Sequence, residues 1–200
     1  MGDIITLQDI LFEGENVLWE GTPDKLCYIV RKMKKHIAGA LIFLLFDGLF
    51  ISVMLSISDD IPKEVIFFLV GFFAIHLFPV WSFIGNVIKA LASHKNIVYA
   101  ITDKRIIVRC GFIGMDFTNV NYSDISKINV DVSVLEKFRN CGTVYVKSSN
   151  GTTALYSIKN PYEIYKKANK IFMDVHSDIQ YPNALRPENN PGYNTKYTGQ

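Results

Sequence analysis

The chain has 200 residues, 49% of them apolar and 20% charged, with a formal net charge of +2 and a mean hydropathy of +0.17. These values exclude a disordered chain, which lacks apolar residues to bury, and a collagen-like or disulfide-dense one. They do not separate a soluble core from a chain that crosses a membrane, which depends on where the apolar residues lie.

The first 36 residues read as a cytoplasmic N-terminal segment that ends in a basic juxtamembrane cluster. Residues 1–23 carry a net charge of −5 and residues 24–36 carry +4, from a cluster that includes Arg31, Lys32, Lys34 and Lys35. Within this segment GENVLWEGTP (14–23) reads as a strand and a turn. Residues 37–58 then read IAGALIFLLFDGLFISVMLSIS, with Asp47 as the one charge, and residues 65–88 read VIFFLVGFFAIHLFPVWSFIGNVI, with His76 as the one titratable group. Each run matches the roughly 20 residues needed to cross a hydrocarbon core. Neither keeps the polar stripe of a helix packed at the surface of a soluble core. The first run starts too far along the chain and is too long for a signal peptide.

These runs predict a transmembrane hairpin, with spans at 37–58 and 65–88 joined by a short external loop at 59–64. The basic residues before the first span, and Lys89 and Lys95 after the second, place both termini in the cytoplasm by the positive-inside rule. The same cluster (Arg31, Lys32, Lys34, Lys35) is a candidate contact for anionic lipid headgroups, at about 1 kcal/mol per basic side chain near the surface. Counting back equally from the loop along both helices brings Asp47 opposite His76 near the bilayer midplane. A lone Asp there costs about 2.5–3.5 kcal/mol on insertion scales, so an imidazole partner is the expected compensation. The pair reads either as a hydrogen bond joining the hairpin or a homo-oligomer, or as a proton or ion relay. Gly48, Ser52 and Ser56 recur at four-residue spacing, a stripe that permits close helix contact. Pro79 is expected to kink the second helix.

A linker over 89–96 leads to a change of period. Six β-rich runs follow, at 97–102, 105–110, 113–120, 125–132, 143–148 and 153–158, with turn chemistry between them and Asn150-Gly151 as a type I′ hairpin signal. Ser133-Val134-Leu135-Glu136 has capping-box spacing and predicts one helical turn. Asn160-Pro161-Tyr162-Glu163 predicts a helix start with Asn160 as N-cap, followed by an apolar face of Ile164, Ala168, Ile171, Phe172 and Val175. Residues 97–176 thus form a small α+β domain carrying +4, and the polar, proline-containing tail at 177–200 is expected to be disordered.

The phrases YAITDKRIIVRCG (99–111), YSDISKINVDVSVLEKF (122–138), GTVYVKSSNG (142–151) and NPYEIYKKANKI (160–171) resemble the bacterial membrane-associated PH-like domain family. A Thr-Asp-x-Arg turn falls on Thr102, Asp103 and Arg105, and a Gly-Thr-Val strand on Gly142, Thr143 and Val144. The resemblance covers about residues 97–173. It implies an α+β fold in which a two-helix transmembrane hairpin precedes a PH-like antiparallel β barrel capped by a C-terminal α-helix. Because a PH barrel has seven strands, residues 14–23 are the candidate for the missing one. Lys104, Arg105 and Arg109 invite comparison with phosphate-gripping residues of PH domains, although Lys104 and Arg105 also occupy the turn that marks the fold.

Catalysis finds little support. The sequence has no P-loop, GxGxxG, HExxH or Gly-x-Ser-x-Gly pattern. Three widely spaced cysteines (Cys27, Cys110 and Cys141) on the cytoplasmic side imply neither a disulfide nor a zinc site. A charge of +4 on a tethered domain is too small for a nucleic-acid footprint. The expectation is a non-catalytic, membrane-anchored module without a cofactor, whose partners are the bilayer itself, anionic headgroups, another protein or a second copy. The alternative is an intramembrane component of an efflux or stress-response assembly that works through Asp47 and His76.

Overall fold

A computed structural model describes residues 6–56, 62–112 and 114–180. The chain divides into two units, Met1–Tyr28 with Ser93–Gln200, and Ile29–Ala92.

The first unit is a β structure of two antiparallel sheets. Strands β1 (Val17–Gly21), β2 (Val98–Thr102), β3 (Arg105–Cys110) and β4 (Asp116–Asn121) form one sheet in that order. Strands β5 (Ile125–Asp131), β6 (Cys141–Ser148) and β7 (Gly151–Lys159) form the other. The segment at 14–23 does supply a strand: Trp19 pairs with Ile101 and Glu20 with Ala100. Strand β2 is buried at every position and β3 over its first four, so their faces do not alternate as an exposed sheet would. The cause lies in the N-terminal segment, where Leu7, Ile10 and Leu11 pack on a cluster containing Ala100 and Ile107. Tyr99, Ile101, Ile106, Tyr122, Ile125, Val144, Leu155 and Ile158 fill the interior.

The helical turn read from the capping box is present at Val134–Phe138. The Glu136 carboxylate accepts the Ser133 N–H at 3.0 Å, and its other oxygen accepts the Ser157 hydroxyl at 2.8 Å. The C-terminal helix runs over Pro161–Gln180, slightly past the expected boundary, and buries Ile164, Ala168 and Ile171. Asn160 precedes it at φ 49°. It holds the expected N-cap position, its carbonyl accepting from the Glu163 and Ile164 N–H groups at 3.0 and 3.3 Å, while its side-chain oxygen accepts a hydrogen bond from Asn140. The β6–β7 loop is Ser149-Asn150, with Ser148 paired to Gly151. Positive φ falls on Gly151 alone in this turn, so the hairpin is shifted by one residue from the type I′ reading.

The second unit is helical. Helix α1 (Lys25–Ser56) has 32 residues and begins within the β unit, twelve residues before the expected span. It is long and apolar enough to cross a membrane. The second apolar run, expected as one span over 65–88, is two helices, α2 (Lys63–His76) and α3 (Phe78–His94), bent by 49°. It meets the same criterion only when the bent pair is counted as one span. Proline explains the break, because Pro79 has no N–H for the carbonyl four residues earlier and its ring crowds that carbonyl. The Leu77 N–H turns back to the Phe73 carbonyl at 3.0 Å, and the Trp81 indole N–H occupies the Ala74 carbonyl at 3.0 Å. Side-chain donation of this kind lets a proline-broken helix persist in an apolar environment. The expected linker is helical as far as His94. Residues 57–61, most of the predicted external loop, and the tail at 181–200 lie outside the described residues. The five-residue turn at Val134–Phe138 is α4, and the helix at Pro161–Gln180 is α5.

Candidate functional site

Two places carry polar chemistry. In the helical unit, His76 Nδ1 lies 2.9 Å from Oδ1 and 3.1 Å from Oδ2 of Asp47. Asp47 is fully buried, whereas the His76 side chain is about one-third exposed (34%). The Phe72 ring stacks on the imidazole at 5.1 Å, and Phe43 and Phe46 tilt against it. The pair is therefore a polar contact wrapped in aromatic rings, joining α1 to α2. Gly48 has open space where a Cβ would stand, so the small-residue stripe is not consumed by packing at that position. A recess of about 330 Å³ lined by Ile51, Met54, Leu69 and Phe73 lies nearby and is almost wholly apolar.

In the β unit the antiparallel register sorts the connections to two ends. At one end chain leaves β1 for α1 and enters β2 from α3. That end also carries the β3–β4 connection, α4, and the β7–α5 junction. Hydrogen bonds tie these together. The Asp24 N–H donates to the Ser157 carbonyl at 2.8 Å, and His94 Nε2 donates to the Pro23 carbonyl at 2.9 Å. The Asn96 amide donates to the Gly111 carbonyl at 3.2 Å. Arg139 forms a two-pronged pair with Asp24, at 3.1 and 2.9 Å. That guanidinium, more than burial, decides the Asp24 carboxyl, which is pushed down to about 2.

Asp24, Cys27 and Cys141 offer three ligand atoms within 4.8 Å of one another. Sequence spacing carries no hint of this cluster, because the fold closes 114 residues between the two thiols. Burial pushes the Cys141 thiol up, and the carboxylate is already committed to Arg139 and to the Cys27 N–H at 3.1 Å. A cation here would have to displace both partners and ionise two thiols that burial keeps protonated. A polar cleft of about 620 Å³ opens beside this cluster, lined by Trp19, Glu20, Lys25, Lys159 and Glu163 among others. Its charges are mixed and favour no single class of ligand.

The opposite end carries the Asp103-Lys104 turn, residues 121–124 and Ser149-Asn150. Here Arg105, a headgroup candidate by its basic charge, is buried against Glu15. Its Nε lies 3.0 Å and its Nη2 2.9 Å from the carboxylate, and Nη2 also donates to the Ile10 carbonyl at 2.7 Å. The Phe12 ring covers the guanidinium at 3.9 Å. Thr102 donates to Glu15 at 2.7 Å. The Thr-Asp-x-Arg motif is thus a fastening for the N-terminal segment, and Arg105 has no free edge for a phosphate. Lys104 remains exposed and reaches the Glu13 carbonyl at 3.4 Å. Lys32, Lys34 and Lys35 are exposed along α1, and Arg31 is half-buried. Within the β unit, Lys104 and Arg105 lie at the end of the sheet opposite the β1–α1 junction.

No curated protein gives a significant match. The solved structure of a pleckstrin-homology domain protein from Shewanella loihica is similar at 15% identity over 38% of this chain and 70% of that one, with a TM-score of 0.32. The family described as Bacterial PH domain matches residues 41–171, from inside the first apolar helix to the buried face of α5. The chain belongs to the bacterial PH domain family.

Proposed function

We propose that the protein is a non-catalytic interaction module, anchored in a membrane by α1 and the bent α2–α3 pair, which presents its PH-like unit at the cytoplasmic face to a protein partner or to anionic lipid. The non-catalytic part rests on the family. The anchoring rests on α1, which is long and apolar enough to cross a membrane; the return of the chain rests on the sheet, where β1 precedes α1, β2 follows α3, and the two are neighbours. Residues 17–21 and 98–102 therefore share one side of any bilayer that α1 crosses, and the α2–α3 pair has to return the chain. The basic residues Arg31, Lys32, Lys34 and Lys35 lie between the β unit and Ile37, at the level of the headgroups. Arg105 leaves this candidate set by its burial against Glu15. The test is extraction of membranes with alkaline carbonate. The full chain is expected to stay in the pellet, and release into the supernatant would contradict the anchor.

A second reading gives Asp47 and His76 a working role in an intramembrane efflux or stress-response assembly, and their 2.9 Å approach is the contact that such a role requires, as does a purely structural hydrogen bond between the helices. The double variant Asp47→Asn, His76→Gln separates the two. Loss of phenotype with normal abundance and oligomeric state supports the relay, whereas reduced abundance alone speaks for a structural contact.

A further inference from the structure

The contact between α1 and α2 leaves one polar atom unanswered. His76 Nδ1 faces both oxygens of the Asp47 carboxylate, which is itself fully buried. The exposed third of the imidazole is therefore the opposite edge, which carries Nε2. Among the described residues Nε2 has no hydrogen-bond partner. The rings around it offer none: Phe72 stacks on the imidazole, and Phe43 and Phe46 tilt against it.

Depth decides what can answer this nitrogen. Asp47 stands ten residues after Ile37 and nine before Ser56, so roughly 14–15 Å of helix separates it from either end of the apolar stretch. In a bilayer that α1 crosses, this is the middle of the hydrocarbon, where an unpaired polar group is costly. Acyl chains have no donor or acceptor, and headgroups do not reach this level. The other polar side chains of the helical unit lie elsewhere along it. Ser52 and Ser56 stand toward the loop end of α1. On α3 the Trp81 indole is given to the Ala74 carbonyl and the Asn86 amide to the Ser82 carbonyl. The remaining titratable groups of residues 37–88 (Asp59, Asp60, Lys63 and Glu64) all belong to the loop end. The answering group has to come from a second polypeptide.

A second copy fits that need. Two copies related by a two-fold axis along the bilayer normal hold each residue at one level, so His76 faces its own counterpart at equal depth. Any other protein has to carry a polar group at that same level. In a neutral ring whose Nδ1–H donates to Asp47, Nε2 is a lone pair. One proton shared between the two Nε2 atoms joins the two lone pairs, and the Asp47 carboxylates behind them balance its charge. Hydrogen bonds between polar side chains hold helices together in lipid.

We propose that the protein is a homodimer in the membrane, closed near the bilayer midplane by the Nε2 edges of its two His76 side chains. The proposal rests on the anchored reading above.

The experiment measures energy transfer between donor- and acceptor-labelled populations of the purified full chain in vesicles of increasing lipid content. The label is carried at Ser149→Cys in a Cys110→Ser background. Transfer is expected to persist on dilution with lipid. His76→Asn keeps an amide donor in the place of Nδ1–H and has nothing in the place of Nε2. It is expected to need about tenfold more protein per lipid for the same transfer. A second measurement leaves the polar pair intact: oxidative crosslinking at Phe46→Cys, an exposed position beside the imidazole. Its control is Leu44→Cys, also exposed and about 160° away around α1. A disulfide-linked dimer is expected at position 46 and not at 44, and these links decide the matter where His76→Asn lowers abundance. A chain without transfer that still resists carbonate extraction overturns the dimer and leaves the anchor standing. Transfer unchanged by His76→Asn, no link at position 46, or equal linking at both positions overturns the His76 contact. A chain that carbonate releases removes the anchor and this contact together.

Discussion

Arg105 shows how a residue changes meaning once its partners are known. A buried pair such as Glu15–Arg105, 0% and 6% exposed at the side chains, is costly to break because the remaining charge stays uncompensated. Glu15→Gln is therefore expected to destabilise the fold by about 3–5 kcal/mol in urea unfolding. Burial pushes the Glu15 carboxyl up, but hydrogen bonds from Arg105, the Phe12 N–H and Thr102 outweigh it and leave its pKa lowered. Asp24 is lowered too. A lowered carboxylate adds stability above its unfolded pKa, and that stability is lost as pH falls through the folded value. The urea midpoint should therefore fall on acidification from the ordinary values of 4.5 and 3.8 towards about 2. The Asp24→Asn variant should show a flatter acid limb. Gly142 is a steric case. A Cβ there would stand 2.8 Å from Pro161 Cγ and from Val132 Cγ2, and Gly142→Ala should cost about 1–3 kcal/mol through overpacking, read as a lower melting temperature.

At the scale of elements, local signals are readable in the sequence and distant pairings are not. The Ser133–Glu136 spacing marks α4, and Pro161 with the Ile164, Ala168 and Ile171 periodicity marks α5, because caps and faces are local. Strand β1 is legible as a strand from residues 14–23, but its partner β2 lies beyond the whole helical segment, and only the seven-strand requirement of the resembled fold suggests the pairing. The Glu15–Arg105 fastening spans 90 residues, and nothing in either flank distinguishes that Arg from a surface one. Pro79 announces a kink, yet the site of the break at Leu77 depends on which carbonyls find donors. One consequence is that residues 97–176 are an incomplete unit. A fragment of that range lacks β1, leaves the Arg105 charge without Glu15, and uncovers Ala100 and Ile107. It is expected to lack a cooperative unfolding transition, and adding back residues 1–23 through a flexible linker should restore one.

For the molecule as a whole, the opening composition resolves into two units, one helical and one built on β-sheets. Much of the apolar fraction lies in α1, α2 and α3, and the rest fills a seven-strand β unit whose sheet contains chain from both sides of the helical insertion. That insertion constrains topology more strongly than the charge pattern does, because paired strands cannot be divided by a bilayer. The central claim is that the chain crosses and returns, with the PH-like unit inside. It is tested most directly by labelling intact cells with a membrane-impermeant maleimide, using Lys63→Cys at the start of α2 and Ser149→Cys in the β unit, each with Cys110→Ser. Lys63→Cys should label from outside and Ser149→Cys only after permeabilisation. Equal accessibility of the two positions in intact cells would contradict the account.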